Sequence, residues 1–388
     1  MFPTLSYLIQ YLFHISVPLN FPTFGFFMFL SFLAAYWAFQ KELIRKEKQG
    51  LLVQINSVQT IGEKASLLEM IGNGVFGLFL GLKAPYIIAH WSSFLADPQK
   101  YIFSWEGNWY IGVLGFLGFA AWVYYEKWKE RLPEPKQVDV LEWPHELMGN
   151  TALIAAGAGI IGAKLFDNLE NWDRFIQDPI GNMFSPSGLT FYGGLIFGGI
   201  GVLWYMNKHG VKPLMMLDIG APGMMLAYAL GRIGCQLSGD GDWGIVNETS
   251  KPSFLNWLPD WAWSFKYPHN VANQDDFNII PGCIGDHCNV LKHGVYPTSF
   301  YETVVCLILF LFIWSIRKRI HVSGVLFFIY LILNGAERFL IELIRVNTRY
   351  HIGSLSFTQA ELISSLLFFS GIVGWVWVTK NKPKTSNV

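Results

Sequence analysis

Gly231-Arg232-Ile233-Gly234-Cys235-Gln236-Leu237-Ser238-Gly239-Asp240-Gly241-Asp242-Trp243-Gly244 closes an apolar run, about 215–236, that is long enough to cross a bilayer. That junction decides the fold class. An arginine at the edge of lipid is costly and tends to be functional, and clustered glycines let backbone N–H groups approach an anion closely. Outward from it, the 388-residue chain is 52% hydrophobic, 16% aromatic and 14% charged, with a mean hydropathy of +0.33. A soluble domain carries about 25% charged residues, so this chain is short of solvated surface. Its net charge is zero, which gives no argument for nucleic acid as a partner.

A span needs roughly 20 apolar residues to cross ~30 Å of hydrocarbon. Nine stretches qualify, at about 24–40, 68–92, 108–126, 149–167, 190–207, 215–236, 298–316, 323–343 and 359–379. The expectation is an all-α polytopic membrane protein of about nine transmembrane helices. No basic residue precedes Lys41, so the start lacks the charged region of a cleaved signal peptide. Basic residues then alternate by loop. KELIRKEK (41–48), EKWKERLPEPK (126–136), Lys208 with Lys212, Arg317-Lys318-Arg319 and KNKPK (380–384) alternate with loops carrying Lys100, Arg174 and three lysines over 237–297. By the positive-inside rule the N-terminus is outside and the C-terminus inside, which an odd span count permits.

Cys283 and Cys288 fall in the long outside loop, where a disulfide persists. A disulfide or free thiols outrank zinc, because CxxxxC with scattered His287 and His293 is a weak metal signal. The GDGD run lacks the ligand spacing of a calcium loop. Trp257, Trp261, Trp263 and Tyr267 read as an interfacial aromatic belt. No internal repeat with paired broken helices is visible, which argues against an inverted-repeat transporter.

The polar chemistry concentrates after residue 146. Asn334, Arg338, Glu342 and Arg345 are spaced to share one helix face, with Glu342 in reach of both arginines. Ionisable groups at this depth cost at least ~2.5–3.5 kcal/mol each unless they face a wet or protein-lined cavity. An arginine fork at Arg232 or Arg338 holds a phosphodiester by two parallel hydrogen bonds, as a lysine cannot. The plainer readings are a salt-bridge ladder ending the helix and, for Arg232, snorkelling to lipid headgroups. Thr190-Phe191-Tyr192-Gly193-Gly194-Leu195-Ile196-Phe197-Gly198-Gly199 is dense in the small residues that allow close helix packing.

These motifs, in order, resemble the bacterial prolipoprotein diacylglyceryl transferase family. GRIG…GDWG is similar to its GRIGNFINGEhWG, NGAERFLIELIR (334–345) to YGxxRFxxExxR, FYGGL to SFHGGLxG, and YPTSFYE (296–302) to HPSxLYE. The resemblance implies a seven-span core with its N-terminus outside. Residues 1–44 then form the first span with its outside segment, 45–145 an inserted two-span hairpin with basic linkers, and 146–388 the catalytic region with outside loop 237–297. It further implies transfer of the diacylglyceryl group of phosphatidylglycerol to the lipobox cysteine of a prolipoprotein signal peptide, in the bacterial inner membrane, releasing glycerol 1-phosphate. Carried over by position, Arg232, Arg338, Tyr192, Asp240 and Asp242 are catalytic candidates. Gly193, Gly194, Gly244, Glu302, Glu342, Arg345 and Lys164 are substrate-binding candidates. No metal or organic cofactor is expected, since thiol and phosphoester suffice.

The departures from the family pattern are specific. Tyr192 and Tyr296 replace histidines, Cys235 an asparagine, Asn334 and Phe24 tyrosines, and Lys164 an arginine. A tyrosine, titrating near 10, is a poor base at neutral pH. One inserted residue leaves Asp240 and Asp242 as alternatives for a single family glutamate, either as base or as the holder of Arg232. Asp218, in the DxxAP position, is also a plausible N-cap opening the sixth span. A paralogue that binds lipid or lipoprotein without transfer, and less so a small-solute transporter, are the alternatives.

Overall fold

The computed structural model describes every residue except 18–19, 97–100, 103, 186–187, 273–276, 284, 353–354 and 382–388. Lys100, Lys382 and Lys384, which enter the loop-charge argument, lie outside the described residues. Nine described helices of 18 residues or more occupy the nine apolar stretches. Numbering all helices in chain order, with short α1 at Leu5–Phe13 and α4 at Trp91–Ala96, they begin with α2 (Thr23–Lys48), α3 (Leu67–Ala89) and α5 (Trp109–Lys129). Next is α6 (Met148–Glu170), and after short α7 (Trp172–Gln177) and α8 (Pro179–Phe184) come α9 (Phe191–Lys208) and α10 (Pro213–Ser238). Helices α11 (Thr298–Ile316), α12 (Val325–Glu342) and α13 (Gln359–Lys380) complete the set.

Six of the nine, α2, α3, α6, α10, α11 and α13, are long and apolar enough to cross a membrane by length and composition. The other three fall short for chemical reasons. Interfacial tryptophans and tyrosines dilute α5, glycines dilute α9, and α12 carries Glu337, Arg338 and Glu342.

Helix α10 is the centre of the bundle. Pro213 starts it, and Gly239, at φ +67°, ends it by returning its N–H to the Cys235 carbonyl. It packs against α2 and α11 and touches α12, while α12 packs on α13. Ala221, Met225 and Ala229 of α10, with Cys306, Phe310 and Ile313 of α11, form a buried apolar seam. At one end of this bundle Glu42 of α2 pairs with Arg45 and, at 2.5 Å, with Arg317 following α11. Asp218 also acts at that end, but not as expected. It accepts from the N–H groups of Gly324 (2.7 Å) and Phe327 (2.8 Å), so it caps α12 from a neighbouring helix rather than opening its own. Pro213 leaves α10 one fewer N–H to satisfy, whereas the α12 start has no side-chain cap of its own.

Helices α3 and α5 form a hairpin that packs chiefly on itself. A Cβ at Gly77 would lie 2.3 Å from the Gly115 carbonyl oxygen, and one at Gly115 equally close to that of Gly77. Such backbone approach is how small residues bind helices in lipid. An antiparallel ribbon of β1 (Ile55–Ile61) and β2 (Lys136–Glu142) ties its base, with Ile55 opposite Glu142.

Helices α6 and α9 pair tightly with each other and lightly with α2 and α10. The loop 239–297 folds over the opposite end of the bundle from Glu42, around Trp243, Tyr267, Ala272, Leu291 and Val295. It carries short strands β3 (Phe277–Ile279) and β4 (Asn289–Leu291) and a Cys283–Cys288 disulfide. The aromatic belt expected there divides in two. Trp257 and Trp261 are exposed, but Tyr267 is buried with its hydroxyl on Gln236, and Trp263 donates to the Thr249 carbonyl.

Candidate active site

The C-terminal ends of α10 and α12 and the N-terminal ends of α11 and α13 meet beneath loop 239–297, and there three arginines surround one carboxylate. Glu302, one turn into α11, is fully buried. Its oxygens lie 3.2 Å from Arg232 Nε, 3.6 Å from Arg338 Nη1 and 3.5 Å from Arg345 Nη1. Each is at ion-pair distance without hydrogen-bond geometry. Those three donors, with Arg345 Nε, are buried without a hydrogen bond. Buried guanidinium N–H groups that are close to an anion yet unbonded are unusual, and they are available to a better-placed acceptor.

Asp242 anchors two of the arginines. It pairs with Arg232 through Oδ2 and with Arg345 Nη2 through Oδ1 at 2.6 Å. Burial opposes its ionisation, but the Arg232 and Arg345 charges outweigh this and hold its pKa below the ordinary carboxylate value. Thr298 and Ser299 donate to its backbone carbonyl at 3.0 and 2.8 Å, which fixes the loop to the start of α11. Asp240 differs. It accepts the Asp242 N–H at 3.2 Å and makes no ion pair among the described residues. Burial, then the neighbouring Asp242 charge, pushes its pKa up. Cys235 Sγ lies between them, 3.5 Å from Arg232 Nη1 and 4.0 Å from Asp242 Oδ2. Cys235, Asp240 and Asp242 offer ligand atoms within 4.8 Å of one another, but both Asp242 oxygens are engaged by guanidiniums.

Arg345 corrects the shared-face expectation. Helix α12 ends at Glu342, and Arg345 lies beyond it, bridged as an antiparallel pair to Gly244. Of the two arginines, Glu342 therefore pairs with Arg338, at 2.8 Å. The Gly244 position admits no side chain, since a Cβ would sit 2.6 Å from the Ile344 carbonyl oxygen and 2.8 Å from Tyr296 Cβ.

Three residues outside the sequence expectations complete the cluster. Tyr228, one turn before Arg232, donates to Glu302 Oε1 at 2.8 Å, and its ring lies 5.4 Å from the Arg232 guanidinium. The i, i+4 spacing to Arg232 was a usable signal for it. Asn347 Nδ2 and Thr358 Oγ1 both donate to Glu342 Oε1, at 2.5 and 2.7 Å. Asn347 precedes and Thr358 ends a third two-stranded ribbon, β5 (Arg349–Ile352) with β6 (Leu355–Thr358), which folds back on α12. No local pattern foretells that return.

Tyr192, at the start of α9, joins Arg338 and Glu342 around an open cavity of about 260 Å³. Gly193 beside it is a packing residue, because a Cβ there would lie 2.2 Å from the Gly162 carbonyl oxygen of α6; Gly194 meets Gly159 less closely. Lys164 is held apart from the arginine cluster, donating to Ser185 Oγ and the Gly188 carbonyl, each at 3.2 Å.

Comparison with known proteins coincides with this geometry. Residues 101–377 match the sequence profile of prolipoprotein diacylglyceryl transferase. Similar proteins include the phosphatidylglycerol–prolipoprotein diacylglyceryl transferases of Leptospira interrogans, 25% identical over 76% of this chain and 98% of theirs, and Dehalococcoides mccartyi, 27% over 75% and 97%. That of Lactobacillus gasseri is 31% identical over 60% of this chain and 76% of its own. The matched span holds every arginine and carboxylate of the cluster, and the chain belongs to the prolipoprotein diacylglyceryl transferase family of multi-pass membrane proteins.

Proposed function

We propose that this protein transfers the diacylglyceryl group of phosphatidylglycerol to the thiol of the lipobox cysteine in a prolipoprotein signal peptide. The observation that carries the reading is the ring of unspent guanidinium donors from Arg232 and Arg338 around Glu302. A phosphodiester entering beside them supplies the acceptor geometry that Glu302 lacks, so the two arginines turn part of their hydrogen bonding to it. Charge then develops on the phosphate as the reaction proceeds, which is where preorganised donors act most strongly.

The displacement balances with these groups. The thiol sulfur attacks the glycerol carbon, the S–C bond forms, and the C–O bond breaks with its electron pair leaving on the phosphate oxygen as glycerol 1-phosphate. Asp240 takes the thiol proton. Asp242 is unsuited to that role, being committed to Arg232 and Arg345, whereas Asp240 makes no ion pair among the described residues and has a raised pKa. Tyr192 orients the donor at the cavity mouth through its hydroxyl. Lys164, Gly193 and Gly194 support the α6–α9 wall of the entry route. The alternation of loop charges supports an outward-facing position for this end of the bundle, and the reading sets the protein in the bacterial inner membrane.

Complementation of cells depleted of their own diacylglyceryl transferase tests the reading, with the precursor mass as readout. A diacylglyceryl mass gain with the wild type, lost in Arg232→Ala and Arg338→Ala at equal membrane levels, is expected. No gain from a well-expressed wild type, tried also with its native precursor, favours the binding-only paralogue.

A further inference from the structure

The cavity beside Arg338 has two kinds of polar lining. Thr358 gives its hydroxyl proton and Asn347 one of its two amide N–H groups to Glu342, and Glu342 in turn is turned toward Arg338. The side chains of Tyr192, Thr348, Tyr350 and Gln359 line the same space and make no side-chain hydrogen bond with any described residue. The cavity therefore presents one fixed cation with several neutral, uncommitted donor-acceptor groups. The cavity, of about 260 Å³ and open on one side, has room for a three-carbon polyol, and its polar lining suits a polyol better than an acyl chain.

Resting on the transferase reading, we propose that this cavity is the subsite for the departing headgroup. There Tyr350 and Gln359 hydrogen-bond the free hydroxyls of the glycerol and select phosphatidylglycerol among phosphodiester lipids. The chemistry excludes the common alternatives in different ways. An ammonium headgroup meets the Arg338 cation, whose charge offsets the one carboxylate in the wall through their 2.8 Å ion pair. An alkyl headgroup enters but leaves the Tyr350 hydroxyl and the Gln359 amide without partners. Tyr350 and Gln359 are exposed to the open cavity, so each hydroxyl contact is worth a single solvent-competed hydrogen bond, and the preference is the sum of a few such bonds. Both residues sit outside the arginine cluster, on β5 and at the first position of α13, so they reach the headgroup and not the reacting carbon.

The test uses the full-length purified protein in phosphatidylcholine vesicles with a lipobox peptide. Donors are phosphatidylglycerol or phosphatidylethanol, which carries the same phosphodiester charge and no headgroup hydroxyl. The readout is the ratio of kcat/KM for the two donors, followed by the mass of the modified peptide. Wild type is expected to prefer phosphatidylglycerol at least tenfold or so, and Tyr350→Phe and Gln359→Leu each to shrink that preference about three- to tenfold. Unchanged preference in both variants, or equal loss with both donors, overturns the subsite. Transfer from phosphatidylethanol by the wild type keeps the two readings separable. Absence of transfer from either donor overturns the transferase reading and this proposal with it.

Discussion

Glu302 has no solvent exposure and three guanidiniums within 3.6 Å. Removing one partner of a buried charge network leaves the others uncompensated and costs about 3–5 kcal/mol. Glu302→Gln is thus expected to lower the unfolding temperature in detergent markedly. Added glycerol phosphate should restore part of the loss, and more than it stabilises the wild type, because the anion takes the vacated place among the arginines. An equal shift in both proteins counts against an anion site there. Arg338→Lys keeps the charge but loses the fork, so kcat/KM is expected to fall about 100-fold or more, in the range seen when a transition-state donor is removed. At Asp240 the sign of the pH effect follows from its environment. Its pKa is raised by burial and by Asp242, and a base works when deprotonated. Activity should therefore rise with pH through a value above that of an ordinary carboxylate, and Asp240→Asn should remove that limb along with most of kcat. A retained limb assigns the base elsewhere. The sequence left Asp240 and Asp242 interchangeable; the two arginines on Asp242 separate them, and that pairing depends on Arg345 arriving from a distant helix end.

The helices follow closely from apolar length, because a span has few other ways to satisfy its backbone in lipid. What periodicity misjudges is where a helix stops. Continuing α12 to Arg345 gave a single charged face, whereas the chain turns after Glu342 and pairs Arg345 with Gly244. Gly244→Ala should break that pairing, since its Cβ meets the Ile344 carbonyl oxygen at 2.6 Å. The expected result is a folded protein with a lowered unfolding temperature, since such overpacking costs about 1–3 kcal/mol, and at least a tenfold loss of kcat/KM, by analogy with small displacements that disturb reactive geometry. A fully active Gly244→Ala protein would show that Arg345 tolerates movement. Asp218 was legible as a cap but not as the cap of another helix, because spatial neighbours are not in the local pattern. Asp218→Ala is expected to destabilise by about 0.5–2 kcal/mol, measured by thermal unfolding in detergent, while Asp218→Asn keeps most of the capping.

Across the molecule, chemistry and bulk are separated. The arginine cluster draws on α10, α11, α12 and loop 239–297, with α2 packed behind α10, while the α3–α5 hairpin contributes none of the cluster. It holds itself together by backbone approach at Gly77 and Gly115, and its ribbon brings Ile55 opposite Glu142, about 5 Å apart across an antiparallel pair. A short turn joining those two positions should thus delete the hairpin without straining the remainder, and transfer is expected to persist within about threefold of wild type, a difference of under 1 kcal/mol. Loss of transfer from a stable, membrane-inserted deletion would give the hairpin a part in substrate handling. The hairpin was readable as two apolar spans between basic linkers; its independence was not, since helix–helix contacts are set by surfaces that composition does not rank. The replaced histidines at Tyr192 and Tyr296 were also plain in the sequence, but the difference between Asp240 and Asp242, on which the proposed base rests, emerges only once α10 and its loop are folded.

The most direct measurement is the mass of a lipobox peptide after incubation with the purified protein in phosphatidylglycerol vesicles, with released glycerol 1-phosphate counted in parallel. One diacylglyceryl group on the cysteine per glycerol 1-phosphate released is expected, at a rate that falls at least about 100-fold in Arg232→Ala and Arg338→Ala. An unmodified peptide with the wild type, or modification that survives both substitutions, would contradict the transferase reading.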